Sequence, residues 1–205
     1  GGNGPIRSLA ALQEYVDLIN VKNILWMYYE GNDAQNYIYE KKNQILNNYI
    51  LDENFKQNLY LKQKKINELI YTTIDQELDA RKVNFNVKNL IKLNATRRLF
   101  LSKTTQEINL NGHFFKIFER AALIANKKKA NFYVFMIPSA EKLYGNKDYS
   151  QSEKIKKELE KRNIEVVDLF KELISDSSEE FYPFNYKSAH FSKNGYNQVA
   201  NFIYN

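Results

Sequence analysis

The 205-residue chain has no cysteine, two histidines, three prolines and seven glycines. Without a thiol, a disulfide framework, a cysteine nucleophile and a Cys-ligated zinc or iron–sulfur site are all excluded. His113 and His190 are too few for a histidine-rich metal cluster, and neither a metal nor any other cofactor is expected. No apolar run nears the roughly 20 residues of a spanning helix, so no membrane segment is expected in these residues. The opening Gly1-Gly2-Asn3-Gly4-Pro5 has neither the basic nor the apolar region of a signal peptide. Lack of cysteine leaves the compartment open, cytosolic or extracytoplasmic, the latter periplasmic or membrane-anchored through residues upstream.

What is present is a foldable domain: 43% hydrophobic and 14% aromatic residues suffice for a sizeable core. The net charge is +6, with a pI near 9.2. The basic residues fall mostly in Lys-rich helical stretches such as Lys127–Lys129 and Lys154–Arg162. Acids intervene there or a solvated face suffices, so no nucleic-acid partner is expected.

Periodicity sets the order of elements. Pro5 suits the first turn of a helix that the spacing of Leu9, Leu12, Val16 and Ile19 extends to Asn20. Ile24–Tyr29 reads as a strand buried on both faces, closed by Glu30-Gly31-Asn32-Asp33, with Asp33 able to cap the next helix. Residues 34–107 read as a helical insertion packed on the sheet, with Leu46, Tyr49, Ile50, Leu59, Ile66, Leu69 and Ile70 as apolar positions and a loop with a short helix over 83–107. A helix over 110–129, a strand at Phe132–Ile137 stopped by Pro138, and a loop over 139–150 follow. After them come a charged helix from Glu153, a strand at Ile164–Leu169, a short helix and a last helix from Lys193, capped by Ser192. Alternation of this kind predicts one α/β domain over 1–205, three-layer α/β/α around a parallel sheet. In such sheets functional groups gather at the carboxyl ends of the strands.

Two residues at such ends carry chemistry. Asn32 follows the first strand, where an amide N–H can meet a developing oxyanion; the same Gly-Asn-Asp is also an ordinary turn. His190 stands two residues before the last helix, a place that suits a neutral general base as well as a plain loop histidine. Gly2 and Gly4 bring backbone N–H groups close to any anion. His113, within the start of a helix, reads as structural.

Jointly, the glycine turn, Tyr-Tyr-Glu-Gly-Asn-Asp and Ala-His-Phe-Ser-Lys-Asn-Gly-Tyr resemble the SGNH (GDSL-type) hydrolase family. The resemblance implies a flavodoxin-like fold and covalent acyl transfer. It matches Gly2 and Asn32 to the oxyanion hole and His190 to the general base. The family's nucleophile is the serine of a Gly-Asp-Ser block that precedes the glycine turn. No Gly-Asp-Ser occurs in the chain, so the resemblance implies a fold incomplete at its N-terminus, with the serine outside this fragment. The family's acid two or three residues before the histidine is replaced by Ser188 and Lys187, which leaves a Ser–His dyad or another acid, such as Glu179 or Glu180. The implied substrate is a small-molecule or carbohydrate O-acyl ester, acetyl on a sugar foremost. Tyr28, Tyr29, Tyr144, Phe181, Tyr182 and Phe184 are candidates either for lining that site or for the core. Three alternatives stand beside the esterase: an O-acetyltransferase, a non-catalytic carbohydrate-binding or assembly module, and a basic nucleic-acid binder.

Overall fold

The computed structural model describes residues 3–83, 108–143, 150–173, 181–182 and 190–204. Three strands, β1 (Asn23–Tyr29), β2 (Asn131–Ile137) and β3 (Glu165–Asp168), form one parallel sheet in the order β1-β2-β3. Helix α1 (Pro5–Tyr15) precedes β1, and α2 (Asp33–Glu40), α3 (Gln44–Leu51) and α4 (Gln63–Val83) follow it. Beyond them lie α5 (Gly112–Lys127), α6 (Ala140–Leu143), α7 (Ser150–Glu160), α8 (Leu169–Leu173) and α9 (Lys193–Tyr204). The class is α/β, compatible with three layers. The chain divides into two compact units, residues 1–56 with 108–205, and residues 57–107. Helices α2 and α3 belong to the first of these.

Alternation along the strands decides which helix lies on which face. Trp26 and Tyr28 of β1 and Val134 and Met136 of β2 share one apolar cluster with α1, α5 and α7. Phe135 faces the other way, into a cluster with Leu143 of α6, Leu169 of α8 and Val199 of α9. Helix α1 buries Ile6, Leu9, Ala10, Gln13 and Glu14, the i, i+3, i+4, i+7, i+8 stripe of a core-facing helix. Of its two polar members, Gln13 donates through Nε2 to the Phe55 carbonyl (2.7 Å) while its Oε1 is buried without a hydrogen-bond partner, and Glu14 Oε1 accepts from the Tyr49 hydroxyl (2.7 Å).

Several sequence expectations are corrected. Strand β1 is buried on one face only: Leu25 and Met27 are 41% and 43% exposed, because the helices that cover the second face stand over β2 and β3. The first helix stops at Tyr15 and tightens into a 3₁₀ turn over Val16–Leu18 instead of running to Asn20. Leu69 and Ile70 of α4 are exposed, whereas Tyr49 and Ile50 of α3 are fully buried. A short helix, α6, interrupts the loop expected after Pro138. The expected loop over 83–107 lies, but for Val83, outside the described residues.

Two helix-to-strand turns share one device. Lys129 and Asn163 both take left-handed backbone, each with φ 56°. The next amide then closes back five residues, Ala130 to Ala125 (2.9 Å) and Ile164 to Leu159 (3.1 Å). Asparagine tolerates this region better than lysine does. Lys129→Gly is therefore expected to raise stability by about 1 kcal/mol in urea denaturation, and Asn163→Gly by less. Equal or inverted effects would contradict that assignment of strain.

Candidate functional site

The register sets Tyr29 beside Ile137 and Met136 beside Asp168, so the three strands end at one edge of the sheet. The Glu30 N–H donates to the Ile137 carbonyl (3.0 Å) and holds the first two ends together. A buried ion cluster lies at this edge. Lys142 Nζ is 2.7 Å from Glu30 Oε1 and 4.0 Å from Asp168 Oδ1, and the Lys142, Glu30 and Asp168 side chains are only 4 to 5% exposed. Lys156 and Lys171 approach the other Asp168 oxygen, each at 3.9 Å. The Lys142 ammonium also stands 5.0 Å from the centre of the Phe170 ring. Burial pushes the Glu30 carboxyl above its ordinary range, against the pull of Lys142. Sequence reading missed this group. Its one visible signal was an acid closing each of two apolar strands, Glu30 and Asp168.

Asn32 sits just past β1, exposed, as the residue before α2. Its Oδ1 accepts from Asn36 Nδ2 (3.3 Å), and the same nitrogen donates to the Asn3 carbonyl (3.1 Å). The glycine turn and Asn32 are thus neighbours, although Gly2 lies outside the described residues. Gly4 does present its N–H to an anion, but to the chain's own: it donates to Glu40 Oε1 (2.6 Å), and Ile6 donates to Oε2 (2.9 Å).

The expectation that Asp33 caps α2 is corrected. Its carboxylate turns back and accepts the Tyr29 N–H (2.9 Å), because the strand end offers a buried donor four residues earlier. Burial, with Glu40 adding repulsion, raises Asp33 to about 7. Gly31 allows the same close turn, since a Cβ there would lie 2.5 Å from the Tyr29 ring.

His190 is exposed at the approach to α9, whose first turn Ser192 caps by accepting the Gly195 N–H (3.0 Å). Next to it, the Phe191 ring packs on Tyr182 (4.9 Å between centroids), and Tyr182 donates to the Pro138 carbonyl (2.6 Å). This chain of contacts brings the His190 segment to the carboxyl end of β2, the edge that also carries Glu30 and Asn32. Tyr28, Phe181 and Tyr182 are core side chains. Tyr144, Glu179, Glu180, Phe184, Lys187 and Ser188 lie outside the described residues. His113 Nδ1 is 3.1 Å from the Tyr37 hydroxyl, and burial lowers its pKa. Among the described residues no cluster of His, Asp and Glu could hold a metal ion.

Neither a family model, nor a curated protein, nor a solved structure is similar to the chain. Asn32 offers an amide at a strand end beside a glycine turn, and His190 a base near the next strand end.

Lys142→Met leaves Glu30 buried without its cation, so a loss of about 3–5 kcal/mol is expected in urea denaturation. The double variant with Glu30→Leu should recover most of it; additive losses would show that the pair is not coupled. Asp33 gives a second test. A carboxyl raised from 3.8 to about 7 stabilises the fold fully below pH 4 and loses that contribution as pH climbs through 7. Asp33→Asn is expected to flatten stability between pH 4 and 7, leaving the slope due to Glu30 and the opposing one due to His113. An unchanged slope would rule out Asp33 as its source.

Proposed function

We propose that the chain is part of an SGNH-type serine esterase, of three-layer α/β/α form, acting on an O-acyl ester, with acetyl on a carbohydrate the leading substrate class. The observation that carries this reading is the placement of Asn32 and the glycine turn. They lie side by side at the carboxyl end of β1, the strand whose outer edge is unpaired among the described residues. Helix α1 packs on the same face as α5 and α7. Because crossovers between parallel strands are right-handed, a strand entering α1 from upstream would lie against that edge. Such a strand would itself end at the glycine turn, so the serine of the block before that turn would come from a strand farther upstream.

In that assembly His190 takes the serine proton as the oxygen attacks the ester carbonyl. The Asn32 amide and the Gly2 N–H receive the oxyanion, and water releases the acyl group from the serine. A sugar hydroxyl in place of water makes the same site an O-acetyltransferase. No cofactor takes part in either route.

One observation favours a second reading, a non-catalytic carbohydrate-binding module. Ser188 and Lys187 stand where the family has its acid, as in a decayed triad. The two readings part on one experiment. A form of the chain extended upstream through a Gly-Asp-Ser block is expected to hydrolyse 4-nitrophenyl acetate, while the 205-residue chain alone does not. Within the extended form, Asn32→Ala should cost roughly 10² to 10³ in rate and His190→Ala at least as much. Full activity of the His190→Ala variant would sink the hydrolase, and an upstream block without serine would favour the module.

A further inference from the structure

We infer that Asn36 and Glu40 are positioning residues that hold Asn32 and the Asn3–Gly4 backbone as one unit, with Asn36 setting which end of the Asn32 amide faces outward. The inference rests on the hydrolase reading for its purpose, but its geometry stands apart from it. Asn32, Asn36 and Glu40 follow one another at intervals of four along α2, so they form a single polar stripe on that helix.

Each member has a separate task. Asn36 spends both amide hydrogens, one on Asn32 Oδ1 and one on the Asn3 carbonyl. An amide whose oxygen is held in this way turns its NH2 away from the holder. Asn32 is exposed, so the end it directs outward is a donor, as an oxyanion contact requires. Glu40, 4% exposed, takes the N–H groups of Gly4 and Ile6, which flank Pro5 at the unsatisfied start of α1. Its negative charge suits that position. Arg7 Nε stands 3.7 Å from the same carboxylate.

The turn fits only because Gly4 has no side chain. A Cβ there would lie 2.6 Å from Asn36 Cβ and 2.8 Å from Glu40 Oε2. Both Asn36 hydrogen bonds are exposed, so they bear on orientation more than on folding.

The deciding variant is Asn36→Asp, which keeps the shape but replaces the donating nitrogen with an acceptor. It repels both Asn32 Oδ1 and the Asn3 carbonyl, so the Asn32 amide turns over and presents its oxygen. In the extended, serine-bearing form, kcat on 4-nitrophenyl acetate should fall about 10²-fold, with KM and the urea midpoint nearly unchanged. Glu40→Gln, which offers one acceptor for two donors, should lower kcat in the same direction. An unchanged kcat in Asn36→Asp overturns the inference.

A second measurement uses the 205-residue chain. The Asn32 side-chain NH2 signals, assigned by their loss in Asn32→Asp, should shift in Asn36→Asp, and signals that stay in place overturn the positioning role. If the extended form with all native residues hydrolyses no ester, the hydrolase reading falls instead. The NMR shift then decides the role of Asn36 by itself.

Discussion

Three parallel strands bring three backbone ends, with their polar neighbours, to one edge, and the buried Lys142–Glu30 contact lets that edge close. Desolvating a carboxylate and an ammonium is expensive, and only a short, well-made contact offsets it. The 2.7 Å separation supplies such a contact. Because Glu30 also donates its N–H to Ile137, the pair fixes the loop that begins at Gly31 to both β1 and β2. Asp168 extends the same arrangement to β3 through Lys142, Lys156 and Lys171. The loop that carries Asn32 thus hangs from a rigid anchor, a condition for any group that must meet a reacting atom within about half an ångström.

Beyond the anchor, polarity is passed along α2. Asp33 reaches back to the strand it leaves, and Glu40, seven residues on, reaches across to the start of α1. Two buried carboxylates on one short helix repel each other, and this repulsion adds to burial in raising Asp33. The arrangement persists because each carboxylate receives backbone N–H donors that would otherwise be orphaned at a strand end or a helix start. The helix ties together pieces of chain that sequence separates by more than thirty residues, Asn3 to Asn36 and Gly4 to Glu40.

The three strands, α5, α7 and α9 were legible in the sequence because each rests on a local pattern. An apolar run of about six residues, or a stripe at helical spacing, is enough to place such an element. Asn32 and His190 were legible as candidates for the same reason, since each closes or follows a recognisable element. The ion cluster was not. Glu30 and Asp168 come from the ends of two strands and Lys142 from α6, and nothing in any one segment says that a lysine there is buried. Asn36 and Glu40 were half legible: their spacing after Asn32 was on view, but a polar stripe on a helix ordinarily faces solvent. Only the course of the glycine turn shows what this one faces. The exposed face of β1 escaped detection because an apolar run looks alike whether one side is covered or two.

That exposed face bears on function through the contrast between the two edges of the sheet that the described residues form. The β3 edge is only four residues long and carries Glu165 and Asp168, the features that keep an edge strand from pairing further. The β1 edge has none of them: Asn-Ile-Leu-Trp-Met-Tyr-Tyr holds no charge and no proline across seven residues. A strand of that composition, with Leu25 and Met27 uncovered beside it, is built like an interior strand. The esterase proposal accounts for this, since a strand entering α1 from upstream would turn β1 from an edge into an interior strand. A binding module that also used this fold would need the same strand. The composition of β1 therefore suits pairing on both sides under either reading, and a serine or its replacement in the block before the glycine turn separates the two.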